Sequence, residues 1–256
     1  MTSEAPSVHL VVPCYRESAR IGCLLPDLCR EMTTLSGVRV LVVEDGSDAD
    51  EVARMQRIVN DLRTEFPCLL PLMSMPENLG KGGAVYAGWR EHGGAEWLAF
   101  VDADGACPAV EVARLVGMTN SEFRMTNARP ALFASRIKIL GRRVDRLLKR
   151  HLLGRVYATL VSELLAVPVY DSQCGLKLVP RAAFERVADR LEVRGFAFDV
   201  ELMVALLDTG CAIQEVPIDW HEVPGGKVSL LRDSWRMARD VWRIRARRAV
   251  WGSASG

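Results

Sequence analysis

Short apolar runs alternate with amphipathic ones along the first half of the chain. "VHLVVP" (8–13) and "VRVLVVED" (38–45) are rich in β-branched residues and of strand length. Between them Ser18 stands where a helix cap belongs, and the spacing predicts a helix to about Leu35. Asp48 opens a second helical pattern that ends near Glu65, and "LLPLMSM" (69–75) reads as a third strand despite Pro71. There follow a helix over 80–92 entered through glycines, a strand over 96–104, a helix over 108–118 and a strand over 131–136. Strands that alternate with helices predict a mostly parallel α/β sheet, Rossmann-like and covered on both faces. The second half reads differently. It predicts one long helix over 143–166, an irregular "VPVYDSQCGLKLVP", helices near 180–190 and 198–209, a strand "CAIQEVPIDW" and a basic helix from about 229. No linker or repeat separates the halves, so one domain with a C-terminal helical elaboration is expected across 1–256.

Composition narrows the class. Of 256 residues, 49% are hydrophobic and 25% charged, which is the profile of a globular protein. A net charge of +1 implies no global affinity for polyanions, and no nucleic-acid partner is expected. The seven cysteines include no C-x-x-C pair and the four histidines no H-x-x-x-H, so a structural zinc site or a disulfide framework is not predicted. "MTSEAPS" lacks the features of a signal peptide, and no apolar run approaches the roughly 20 residues of a membrane span. A cytoplasmic location is the expectation, extending to the cytoplasmic face of a membrane.

Candidate chemistry falls at the carboxyl ends of the strands, where open α/β sheets bind ligands. These ends read "PCYRES", "EDGSDAD", "DADG" and "ASR", and "ENLGKGG" precedes the third helix. Asp102 and Asp104 stand out. On extended backbone a D-x-D would put both carboxylates on one face, and a hard divalent cation would relieve their repulsion. No Walker-type loop and no G-x-G-x-x-G follow the first strand, which argues against a P-loop nucleotidase or a Rossmann dehydrogenase.

"VVPCYRES", "VVEDGSDAD", "NLGKGGAVYAGW", "FVDADG", "ASR", "DSQCGLKL" and "WHEVPGGKVS" occur in the order seen in family-2 inverting glycosyltransferases of GT-A fold. The chain most resembles the branch that glycosylates dolichyl phosphate, over about residues 8 to 245, and "DSQCGLK" resembles the glucosyl enzymes. The resemblance implies UDP-glucose as donor and a polyprenyl phosphate as acceptor. It makes 8–136 the nucleotide-sugar half and 137–250 the acceptor half. It implies that Pro13, Tyr15, Glu17 and Asp45 line the nucleoside pocket, that Lys81 approaches the donor at a glycine-rich helix start, and that Asp102 and Asp104 hold Mg²⁺ or Mn²⁺. The chain departs from the family pattern at Glu44-Asp45, where two aspartates are usual. Asp199 and Glu201 fall where hydroxyl-directed relatives place a base, and an orienting or structural role is the other reading for both. Trp220, Gly225, Gly226 and Lys227 belong to a segment that reads either as a loop closing over the diphosphate or as a turn before the last helix.

Two basic stretches mark the acceptor side. Arg136 to Arg155 holds eight basic residues and one acidic, with Leu147, Leu148, Leu152, Val156 and Leu160 at helical spacing. Such a helix suits an anionic lipid surface, or simply a solvated arginine face. Arg136 and Arg150 are the candidates to grip an acceptor phosphate, because guanidinium forks match phosphate oxygens. Lys227 to Arg248 holds eight basic and two acidic residues, with Leu231, Trp235, Ala238, Trp242 and Ala249 on one stripe. Those tryptophans suit either a membrane-surface anchor or packing on the core. A different donor such as GDP-mannose, a hydroxyl acceptor, and a non-catalytic nucleotide- or membrane-binding module are the competing readings.

Overall fold

The structure is a computed structural model that describes residues 7–121, 129–145, 148–167, 169–223 and 232–253. Strand β1 (Val8–Cys14) leads through two short helices, α1 (Ser18–Ile21) and α2 (Leu25–Thr33), to β2 (Val38–Glu44). Helix α3 (Ala49–Arg63), β3 (Met73–Ser74), α4 (Gly80–Arg90), β4 (Trp97–Val101), α5 (Ala109–Ser121) and β5 (Ala131–Ser135) complete the alternating half. Beyond it come β6 (Val144–Asp145), α6 (Leu148–Leu165), β7 (Leu176–Pro180), α7 (Arg181–Val187), α8 (Phe198–Asp208), β8 (Ile213–Pro217), β9 (Trp220–His221) and α9 (Arg232–Ser253).

Seven strands form one sheet in the order β3-β2-β1-β4-β7-β5-β8, and β6 pairs with β9 beside it. All neighbours in the large sheet are parallel except β7, which runs antiparallel to both β4 and β5. Strands β7 and β8 come from beyond residue 136 and complete the same sheet. Both faces are covered, which is why the strands are apolar almost throughout. In β4, Trp97, Ala99 and Val101 pack against the layer of α2, α3 and α5, while Leu98 and Phe100 face the layer of α4, α7, α8 and α9. The second layer centres on Trp89, Phe100, Phe184 and Phe198, and the Trp89 indole N–H donates to the Ala99 carbonyl at 2.9 Å.

Several predicted elements differ in detail. The helix expected from Ser18 to Leu35 is broken at residues 22–24, and Pro26 begins a new one. Ser18 caps nothing; its N–H and hydroxyl both donate to the buried Glu51 carboxylate at 2.7 Å. Asp48 does cap α3, accepting from the Glu51 N–H at 3.1 Å. The third strand shrinks to two residues, with Leu69 adding an isolated bridge to Val40. The long helix predicted over 143–166 starts only at Leu148, because Val144 and Asp145 pair with Trp220 and His221. The segment read as irregular contains β7, a central strand.

Candidate active site

The carboxyl ends of β1, β2, β4 and β5 meet on one edge of the sheet. Beside them lies a cavity of about 450 Å³, lined from the sheet side by Lys81, Asp102, Asp104, Arg136, Asp171, Asp199 and Trp220. Its other walls are Arg155, Val156, Tyr157 and Leu160 of α6, Tyr170, Gln173, Phe196, and Met237 with Ala238 of α9.

Asp102 and Asp104 both reach this cavity, but not by the route expected. Strand β4 ends at Val101, and the D-x-D lies in the turn that follows, where Gly105 takes φ 75°. Ala103, between the acids, is buried in the core. The turn therefore does what a pleat was predicted to do. Asp102 is anchored through its N–H to the Gly175 carbonyl at 2.9 Å. A Cβ on Gly175 would lie 2.1 Å from Asp102 Oδ2, so only glycine leaves room for this carboxylate. Asp104 accepts from the Ala106 N–H at 3.0 Å. Burial, and then the charge of Asp102, raise its pKa above the ordinary carboxylate value.

Lys81 Nζ stands 2.6 Å from Asp102 Oδ1, above the rings of Phe100 and Phe198. Burial alone would lower its pKa, but Asp102, Asp199 and Asp104 together hold it above the ordinary value, so the group is an ammonium. The helix start that carries it is not open to a phosphate, contrary to expectation. The N–H groups of Leu79 and Gly80 donate to the two oxygens of Asp45 at 2.8 and 2.9 Å, and those of Gly82 and Gly83 donate to the Arg194 carbonyl. A Cβ on Gly82 would lie 2.4 Å from that of Phe198. The glycines thus let α4 pack closely, and the residue this turn brings to the cavity is Lys81.

The same bonds revise the role of Asp45. It is buried and outside the cavity lining, and each carboxylate oxygen accepts an N–H at the start of α4. Glu44 is buried too and accepts from the Ser47 N–H, so its extra length is taken up within its own loop. Pro13, Tyr15 and Glu17 sit at the carboxyl end of β1, next to Asp45 but outside the cavity lining. Arg16 holds a left-handed φ of 54° there and donates its N–H to Ser47 Oγ, which turns Tyr15 partly into solvent. Glu17 pairs with Arg20 at 2.8 Å.

Arg136 follows β5 and is held side-on by Asp171, through Nε and Nη2 at 2.7 Å each. Burial opposes its charge, but Asp171 more than compensates and the guanidinium stays firmly protonated. Its Nη1 is uncommitted among the described residues, and the guanidinium lies 5.1 Å from the Trp220 ring centre. Trp220 is a wall rather than a moving lid: it is buried, and β9 pairs it with Val144. Gly225, Gly226 and Lys227 lie outside the described residues, and Arg150 outside those whose side chains are described.

Asp199 and Glu201 part company. Asp199 lines the cavity, fully buried, with Lys177 Nζ 2.9 Å from Oδ1. Burial raises its pKa, against the pull of Lys177 and Lys81. Glu201 points away, outside the cavity lining, and accepts from the N–H groups of Glu192 and Val193 and from Arg247. That geometry removes it from the candidate bases. The residues missed in the sequence are Asp171, Gly175 and Lys177, all within "DSQCGLK". A polar string between a helical pattern and the apolar "LVP" was the available signal. The predicted stripe of α6 also turns. Val156 is exposed and Leu160 half-buried at the cavity, while Val161 and Leu165 face the core. On α9, Val241 and Ile244 are buried, whereas Trp235 and Trp242 are 74% and 57% exposed.

A mostly parallel sheet with an acidic turn after its fourth strand, a neighbouring lysine and a cavity at the same edge defines a glycosyltransferase of GT-A fold. Solved glucosyl-3-phosphoglycerate synthase from Mycobacterium tuberculosis, in complex with Mn²⁺, UDP-glucose and phosphoglyceric acid, shares this fold. Its TM-score is 0.63 at 17% identity, over 95% of this chain and 79% of that one. The sequence profile described as Glycosyl transferase family 2 matches residues 9–130. Dolichyl-phosphate beta-glucosyltransferase of Saccharomyces cerevisiae is 31% identical over 247 residues, 93% of this chain and 74% of that protein. The Homo sapiens protein of the same name is 28% identical over 96% and 76%. The chain belongs to glycosyltransferase family 2.

Proposed function

We propose that this glycosyltransferase moves glucose from UDP-glucose to a polyprenyl phosphate of the dolichyl type, with inversion, and that Asp102 and Asp104 hold a Mg²⁺ or Mn²⁺ on the donor diphosphate. One observation carries the reading: the acidic pair, Lys81 and a buttressed Arg136 converge on a single cavity whose outer wall is mostly apolar. The relatives' named activity supports the acceptor class, and the UDP-glucose and Mn²⁺ complex of the structural neighbour supports donor and metal.

The residues fit the metal. Asp104 feels the Asp102 charge, a strain that a divalent ion relieves. Among the described residues no group of three histidine, cysteine or acidic side chains forms a full cage. Two carboxylates suit an ion that completes its shell with phosphate oxygens and water. When bound, the ion supplies Lewis-acid neutralisation of the charge that develops on the leaving diphosphate.

The chain's own side chains do the rest. Lys81 brings a second positive charge next to Asp102. Arg136, fixed by Asp171, presents Nη1 to orient an acceptor phosphate beside Trp220. A phosphate oxygen attacks the anomeric carbon as its bond to the UDP oxygen breaks, giving a β-glucosyl lipid phosphate and UDP. A phosphate monoester is already anionic at neutral pH, its second pKa being about 6, so the step needs positioning rather than a base. Asp199 then serves as counter-ion to Lys177 and Lys81.

The surface supports work at a membrane. Val156, Tyr170 and Phe196 line the cavity and are at least partly exposed; Trp235 and Trp242 are exposed on the basic α9. No helix among the described residues is long and apolar enough to cross a bilayer.

One experiment tests the reading: a donor panel of UDP-glucose, other UDP-sugars and GDP-mannose, with polyprenyl phosphate in anionic liposomes and Mn²⁺. Products are resolved by mass, and the same samples are floated on a density gradient. Hexosyl-phosphate lipid from UDP-glucose, with the protein co-floating at low salt, is the expected result. Asp199→Asn should retain turnover within about tenfold, since a true general base would be worth about 10²–10⁴. Transfer to a sugar hydroxyl alone, or a loss in Asp199→Asn equal to that in Asp102→Asn, would overturn the acceptor assignment. Failure to float would remove the membrane contact.

A further inference from the structure

We propose that Glu201, outside the cavity, is a positioning residue for Lys81, and that Arg247 of the C-terminal helix completes its clamp. The inference rests on the reading above that Lys81 meets the donor.

Glu201 is a carboxylate with no exposure at all. Burying it is costly unless it is hydrogen-bonded, and here both oxygens are. One oxygen accepts the N–H groups of Glu192 and Val193 at 2.9 and 2.7 Å; the other accepts Arg247 Nη1 at 2.5 Å. Arg247 also donates to the Arg190 carbonyl and pairs with Glu192 at 3.0 Å. The clamp therefore fixes the segment from Arg190 to Val193, which has no helix or strand of its own past residue 190.

The next residue transmits the constraint. The Arg194 carbonyl accepts the N–H groups of Gly82 and Gly83 at 2.7 and 3.2 Å, and so closes the first turn of α4. Clearance there is small. A Cβ on Gly80 would lie 2.7 Å from Arg194 O, and one on Gly82 would lie 2.9 Å from Val193 O. Lys81 is carried between these two glycines and must place Nζ within 2.6 Å of Asp102. The backbone of 192–194 is the mould for the turn that aims Lys81, and Glu201 with Arg247 holds the mould. This also accounts for a buried acid at a position that makes no contact with the cavity. An apolar side chain there would strand two N–H donors and one guanidinium.

A structural role alone would lower stability without depending on Lys81, so the test is a double-mutant cycle. UDP-glucose binding with Mn²⁺ is measured by calorimetry in wild type, Glu201→Ala, Lys81→Met and the double variant, alongside thermal midpoints. Glu201→Ala should weaken binding by about tenfold with Lys81 present and by less than about twofold in the Lys81→Met background. Glu201→Gln, which keeps an acceptor for both N–H groups, should recover most of the loss. Equal losses in both backgrounds would overturn the proposal. Should Glu201→Ala fail to fold, Arg247→Met loosens the clamp while leaving the two N–H bonds in place, and the same cycle is read.

A second readout needs no nucleotide. The chain has five lysines, so ¹³C-dimethylation gives few resonances, and that of Lys81 is identified by its loss in Lys81→Met. In Glu201→Ala and Arg247→Met it should move towards the exposed-lysine position, and in Glu201→Gln it should stay near the wild-type one; an unmoved resonance in the first two would overturn the proposal. Absence of UDP-glucose binding by wild type would instead refute the donor assignment, and the resonance would still decide the role of Glu201.

Discussion

Asp102→Asn is expected to lower turnover by about 10²–10³-fold, the usual cost of removing one preorganised group that meets developing charge, without lowering the thermal midpoint. The variant loses a metal-ligand oxygen and the nearest partner of Lys81 together. It also removes a charge that raises the pKa of Asp104, so the folded state gains back part of what the ion pair contributed. Gly175→Ala should move in the same direction while replacing no charged residue, because its Cβ would displace the Asp102 carboxylate. Steady-state rates and circular-dichroism melts on the two variants check this. Turnover within threefold of wild type in Asp102→Asn would mean that the acidic turn is not where the donor is held.

The largest effect on stability is expected at Lys177. Its ammonium is wholly buried in a central strand, 2.9 Å from Asp199 and 2.8 Å from the Cys174 carbonyl, over the rings of Phe100 and Phe133. Replacing it with methionine fills the space but leaves Asp199 buried without its closest counter-ion. Breaking a buried pair in this way costs about 3–5 kcal/mol, whereas replacing both partners by neutral groups costs far less. Lys177→Met should therefore show that loss in urea unfolding, and adding Asp199→Asn should recover roughly half or more of it. A loss below about 1 kcal/mol would show that Asp199 finds sufficient compensation in Lys81.

These two residues also show where the sequence was readable. The alternating half was legible because period-two and helical apolar patterns match burial on both faces of a parallel sheet, as in "WLAFV" of β4. Asp102, Asp104 and Arg136 were legible as strand-end residues and Lys81 as a helix-start residue, and the structure brings all four to one cavity. Strand β7 was not legible. A lysine at its second position and a proline at its end resemble a loop, and only the distant Asp199 makes a buried Lys177 tolerable. The jobs of Asp45 and Glu201 were hidden for the same reason. Both are carboxylates whose partners are backbone N–H groups 34 and 9 residues away, and no local pattern records such bonds. The apolar stripe of α6 was seen, and its Val156 and Leu160 line the cavity, while Val161 and Leu165, outside that stripe, face the core.

The central claim is that the acidic turn grips a divalent ion which anchors a sugar nucleotide. Calorimetric titration of UDP-glucose into wild type and into the Asp102→Asn, Asp104→Asn double variant, with Mn²⁺ and then with a chelator, tests it directly. Mn²⁺ should strengthen binding at least about tenfold in wild type, an increment of about 1.4 kcal/mol, and the double variant should show no such gain. Equal affinity with and without the ion in wild type, matched by the double variant, would contradict it.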